Sequence, residues 1–171
     1  TAKNLRCYVE NGGTLYGTYM LGTVNEDDLC YLGGMPGAGL SQVFGIVAEE
    51  IDTLYPPERQ HAALGGESHE LIDYCEYIHP TTAKVLAAYT DSFFEAPAAV
   101  TVNEFGKGKA VYQACRDTGS LKTQVLEALL KQQTILSVSY SVQKLKSPVE
   151  SMNPAIGPWP NSFTRTLFIA V

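Results

Sequence analysis

The chain has 171 residues, 45% hydrophobic and 18% charged, enough apolar material for a folded domain and too much for a disordered one. Its formal net charge of -6 argues against a nucleic-acid surface, because duplex binding needs clustered Lys and Arg to displace counterions from phosphates. No apolar run approaches the roughly 20 residues that span a bilayer, and "TAKNLRCYVENGG" has neither an apolar signal core nor a cleavage site, so the expected location is cytoplasmic, with no membrane partner.

The chain opens in a helical pattern, Ala2, Leu5 and Val9, closed by Gly12-Gly13 in the place of a left-handed C-cap. "TLYGTYML" follows, with apolar groups on both faces, as in a strand covered on both sides. Helix, Gly-Gly and buried strand together point to an α/β fold. "GTVNEDD" leaves the strand as a polar loop, and "CYLGGMPGAG" continues it with four glycines and a proline in ten positions. In a doubly wound sheet, ligands bind beyond such strand ends.

"LSQVFGIVAEEIDTL" carries Val43, Phe44, Ile46, Val47, Ile51 and Leu54 with mixed periodicity, which predicts only a helical turn before Gly45. "YPPERQHAALGGESHE" reads as a loop, "ELIDYCEYIHPT" alternates weakly, and "TAKVLAAYTDSFF" fits helix or strand. "AAVTVNEFGKGKAVYQAC" is a hairpin, two β runs flanking Gly106-Lys107-Gly108. Ser120 is placed to cap a helix over "LKTQVLEALLKQQ", whose Leu121, Val125 and Leu129 form one apolar stripe. Leu136, Val138, Tyr140 and Val142 then alternate with polar residues as a half-exposed strand. Pro148, Pro154, Pro158 and Pro160 make 147–162 a linker or extended arm before "RTLFIAV".

Chemistry-bearing motifs are scarce. Gly33, Gly34, Gly37 and Gly39 fit neither GxGxxG nor GxxxxGK[ST], so the glycine stretch reads as a tight turn rather than a phosphate cradle. No GxCxG or GxSxG nucleophile elbow occurs. Ser141 and Lys144 form an SxxK, but on a period-two strand they point to opposite faces. Cys7, Cys30, Cys75 and Cys115 are scattered without a CxxC, as free thiols in a reducing compartment are.

Asp73, Cys75 and His79, or His69, lack the paired spacing of a zinc site, and "NEDD" lacks the spaced oxygens of a calcium loop; no metal or cofactor is expected. Glu49-Glu50 and Glu26-Asp27 are adjacent acids, and nothing marks them as a facing catalytic pair. Residues 1–104 carry 15 acids against 4 bases, and 105–171 carry 3 against 8. Either these are ordinary solvated faces or the chain self-associates through opposite patches.

Taken in order, "YVENGGTLYGTYMLGTVNEDDLCYLGGMPGAGLSQVFGIVAEEIDTL" and "VLAAYTDSFFEAPAAVTVNEFGKGKAVYQACRDTGSL" resemble the middle domain of the family 42 glycoside hydrolases, bacterial β-galactosidases. The resemblance implies a three-layer α/β fold with a flavodoxin-like, class I glutamine-amidotransferase-like sheet that carries no nucleophile. It implies a trimer whose galactoside substrate is hydrolysed, with retention, in a separate barrel of the parent polypeptide, so no catalytic residue is carried onto this chain.

On this basis 1–133 is a trimerisation domain, incomplete at its N-terminus, and 134–171 is a loosely matched connection towards a C-terminal β domain. A sheet without its opening strand needs its edge covered, by swapping or by oligomerisation. The residues expected at the subunit contact are Val24, Asn25, Glu26, Asp27, Asp28, Gly33, Gly34, Pro36 and Gly37. Two other roles stay open: a carbohydrate-binding module, with Trp159, Tyr16, Tyr19 and Tyr31 as stacking faces, and a degenerate amidotransferase-like hydrolase.

Overall fold

The computed structural model describes residues 2–91 and 97–132, and the backbone of 167–170. The strand expected over Leu136–Val142, the arm over 147–162 and Trp159 lie outside the described residues.

Helix α1 (Ala2–Glu10) leads into β1 (Thr14–Thr18), and after a long loop come α2 (Leu40–Phe44) and β2 (Ile46–Thr53). Strands β3 (Gln60–Leu64), β4 (Glu67–Pro80), β5 (Lys84–Tyr89), β6 (Ala98–Phe105), β7 (Gly108–Gln113) and β8 (Cys115–Asp117) precede α3 (Ser120–Gln132) and β9 (Leu167–Ala170). They build one nine-stranded sheet in the order β2-β4-β3-β5-β6-β7-β1-β9, with β8 paired to β4. The fold is mixed α/β, and most of its strand pairs are antiparallel. Parallel pairing is confined to β1, which has β7 on one side and β9 on the other. The side of β1 away from β7 is therefore occupied by β9.

Both faces of the sheet are covered. On one, α1 and α2 pack Val9, Leu40, Val43 and Phe44 against Leu15, Ala110 and Tyr112. On the other, the α3 stripe of Leu121, Val125 and Leu129 packs with Tyr16, Val100 and Val111. Each such aliphatic side chain contributes about 1.5–3 kcal/mol by leaving water. Consecutive residues Leu15 and Tyr16 serve opposite cores, which is why all five residues of β1 are buried and its sequence shows no alternation.

Two local expectations are corrected. "YPPERQHAALGGESHE" is not all loop: Gln60–Leu64 forms β3, which turns through Gly65-Gly66 into β4. Its Ala-Ala centre and polar flanks hide the strand, which cross-strand pairing with β4 and β5 imposes. The cap of α3 is Asp117 rather than Ser120, for its Oδ2 accepts from Gly119 N and Lys122 N at 2.8 and 3.1 Å. Ser120 instead meets the buried His69: its Oγ lies 2.9 Å from His69 Nδ1, while His69 Nε2 lies 2.8 Å from Gln124 Oε1, tethering α3 to β4.

Candidate functional site

The loop between β1 and α2, residues 19–39, carries every residue expected at a subunit contact, and its geometry explains how so polar and glycine-rich a stretch stays ordered. It begins at Met20, in the left-handed region at φ +60. The Met20 N–H donates to Glu76 Oε1 at 2.7 Å, and Tyr112 Oη donates to Glu76 Oε2 at 2.7 Å. Glu76 is fully buried, and loss of solvation pushes its carboxyl above the usual glutamate range while the Tyr112 and Met20 bonds pull it back. A buried acid, itself held by a buried phenol, thus anchors the loop at Met20.

The next part is organised by Asn25, whose side-chain oxygen accepts from Asp27 N at 2.9 Å and Leu29 N at 3.0 Å. With Asn25 N donating to Leu29 O and a bridge between Val24 and Cys30, this is a side-chain-braced turn. Gly37 N donates to Gly22 O at 2.9 Å, stapling the two ends of the loop, and Ala48 N donates to Met35 O, fixing it to β2. At Gly37 a Cβ would lie 2.1 Å from the Tyr31 ring. What the glycine stretch admits is therefore another part of the same loop.

The expected contact residues divide by exposure. Val24, Glu26, Asp27, Asp28, Gly33 and Gly34 are exposed, Asn25 is half-buried, and Pro36 and Gly37 are buried beneath them. Sequence reasoning missed the loop's exposed apolar side chains: Leu29 is 63% exposed, Leu32 is fully exposed, and Met20, at the start of the loop, is 38% exposed. It also missed Glu76, whose neighbours "DYCEYIH" give no sign that this acid is the buried one.

Residues 1–136 match the family model of the β-galactosidase trimerisation domain. The chain belongs to that family. β-Galactosidase LacA of Lactobacillus acidophilus is 38% identical over 144 residues, covering 84% of this chain and 21% of the relative. β-Galactosidase BglY of Alicyclobacillus acidocaldarius is 41% identical over 122 residues, covering 67% and 18%. The solved β-galactosidase of Rahnella sp. R3 superposes with a TM-score of 0.74 at 38% identity, covering 78% of this chain and 21% of that one. Gan42B, a GH42 β-galactosidase, gives 0.73 at 39% identity, covering 76% and 19%. This trimerisation domain spans about a fifth of the length of the curated relatives it matches.

The other residues singled out in the sequence fall elsewhere in the domain. Cys75 and Cys115 are buried, and burial pushes the Cys75 thiol up to about 12 and the Cys115 thiol well above its ordinary value, so neither is poised as a thiolate nucleophile. Tyr16 is fully buried with its hydroxyl on Gln113, and so offers no stacking face to a sugar. Tyr19 packs on Tyr74 with ring centroids 5.8 Å apart. Among the described residues, no group of three His, Cys, Asp or Glu could hold a metal ion, and no helix is long and apolar enough to cross a membrane.

Proposed function

We propose that this domain assembles a β-galactosidase by self-association into a trimer, with the loop between β1 and α2 as the subunit contact. One observation carries the proposal: Val24, Leu29 and Leu32 stand in water on a backbone that Glu76, Asn25 and the Gly22–Gly37 staple hold in place. Apolar area left in water forgoes about 25 cal/mol per Å² that a partner would recover. A pre-ordered loop also loses little entropy on docking. Val24, Asn25, Glu26, Asp27, Asp28, Gly33 and Gly34 form the contact surface, and Pro36 and Gly37 support it from below.

In this reading the parent polypeptide hydrolyses terminal β-galactosides with retention, in the cytoplasm, through a barrel separate from this domain. The supporting fact is that the relatives reported above are all β-galactosidases. Residues 1–133 form the assembly unit and 134–171 its connection towards a β domain. A flavodoxin-like, amidotransferase-like ancestry is supported by the parallel trio β7-β1-β9 with helices on both faces.

The test is the absolute mass of the purified chain by size-exclusion chromatography with light scattering over a tenfold concentration range. A species near three times 18.6 kDa is expected, and the Leu29→Ser/Leu32→Ser double variant should dissociate at higher concentration while unfolding at an unchanged midpoint. A wild-type chain that stays monomeric throughout removes the proposal.

A further inference from the structure

A trimer closed by one repeated contact is heterologous: each copy presents two different surfaces, one meeting the other. If the loop is the first, the second should be complementary to it and lie elsewhere on the domain. Such a surface exists. On the face of the sheet covered by α3, a cleft of about 380 Å³ lies between that helix and strands β5, β6 and β7. Leu64, Leu86, Val102 and Leu129 give it an apolar lining, and the exposed Lys84 and Lys109 add two ammonium groups. Glu104 stands opposite Lys109 in the β6–β7 ladder, so that the charged groups among the described lining residues are two ammoniums and one carboxylate. Leu86 is 39% exposed, so part of the apolar lining opens to solvent.

The loop has the matching chemistry. Leu29 and Leu32 supply exposed apolar side chains, and Glu26, Asp27 and Asp28 supply three exposed carboxylates. The two surfaces also belong to opposite sides of the sheet: Leu21 and Met35 of the loop pack with the α1–α2 core, whereas Val125 and Leu129 of the cleft belong to the α3 core. Surfaces on opposite faces cannot meet across a two-fold axis as the same patch, but they can meet head to tail.

The geometry points to the acidic loop of one copy docking in the α3–sheet cleft of the next, an inference that rests on the assembly proposed above. Leu29 and Leu32 enter the apolar lining, and Glu26 and Asp27 face Lys84 and Lys109. Opposite charge at such a contact selects the partner surface and the register more than it adds affinity.

A charge exchange tests this, read as the concentration dependence of mass. Lys84→Glu/Lys109→Glu and, separately, Glu26→Lys/Asp27→Lys should each raise the dissociation constant by about tenfold or more. One chain carrying all four substitutions should recover most of the loss, because the attraction is restored with its sign reversed. Asp28 is left alone because it sits at φ +58. All four sites are exposed, but Lys109→Glu sets a second carboxylate opposite Glu104, so Lys84→Glu alone, at an unchanged unfolding midpoint, is the variant that confirms that assembly rather than folding is being read. A trimer indifferent to both exchanges, or a four-fold variant no better than either pair, overturns the docking while leaving the assembly reading intact. A monomeric wild type overturns both. The unaltered chain gives an independent check: its dissociation constant should rise between about 0.05 and 0.5 M salt as the Debye length shrinks, and a flat response counts against the charged contact.

Discussion

The β6–β7 hairpin and the loop between β1 and α2 are both ordered, by opposite means. In the hairpin the order is periodic: six successive residue pairs run from Val100–Gln113 to Phe105–Gly108, and alternate side chains feed the two cores. The ladder even absorbs a defect, since Thr101 Oγ1 is buried there without a hydrogen-bond partner. In the loop, backbone pairing amounts to the bridges Val24–Cys30 and Met35–Ala48, and the rest hangs on Glu76, Asn25 and Gly37. A ladder distributes its stability over many equivalent contacts, whereas this loop concentrates it in three residues. The exposed surface of the loop is consequently only as firm as the buried groups beneath it.

The sharpest way to break the comparison is Glu76→Ala. It strips the acceptor from Met20 N–H and Tyr112 Oη in a site closed to water, which should lower stability by about 3 kcal/mol, read as a fall in the urea midpoint. Hydrogen exchange should speed first at the amides of residues 20–31 and last in the hairpin. If both regions respond alike, the loop is not held independently of the ladder.

Gly37→Ala comes next. Its Cβ would fall on the Tyr31 ring, so the ring must move and carry the 22–37 staple with it, at about 2 kcal/mol. The hairpin should keep its protection. Tyr31→Ala in the same chain should recover much of the stability by emptying the contested space, and a double variant no better than Gly37→Ala would show that the ring is not the obstacle.

How far the fold was legible in the sequence follows the same division. The hairpin, the α1 stripe, the buried strand (though it stops at Thr18 rather than running on to Leu21) and the turn before Gly45 all announce themselves, because each depends on residues close in sequence: Val9 with Leu5, Val43 and Phe44 with Gly45, Phe105 with Gly108. Strand β3 does not, since Ala62 and Ala63 have no strand signature and pair only because β4 and β5 lie on either side. The loop entered as a contact candidate only through the family resemblance, as the stretch that leaves the first strand. Nothing in the sequence singles out its apolar members, Leu29 and Leu32, which the folded backbone leaves outside. Glu76 was invisible for the strongest reason: the two groups that hold its carboxylate, Met20 and Tyr112, lie 56 and 36 residues away in the chain.

The smallest effect is the most specific to Glu76. Burial raises its folded-state pKa above the unfolded value, so at neutral pH the ionised carboxylate weighs against the folded state. As pH falls through the raised value, the folded chain takes up a proton that the unfolded chain does not yet bind, and stability rises on that account until the unfolded glutamate is protonated too. Glu76→Gln keeps the shape and an acceptor but cannot titrate. The wild type should therefore gain on the variant as the pH is lowered across that window, and the gap should level off beneath it. Tyr112, Tyr89, Cys75 and Cys115 around the site are all pushed upward by burial and stay neutral there, while surface carboxylates and histidines cancel in the difference. Paired thermal melts from pH 7 downward would show it. A wild type that instead loses ground to the variant would mean that the Met20 and Tyr112 bonds outweigh desolvation, so that the loop is gripped by a carboxylate stabilised in its charged form.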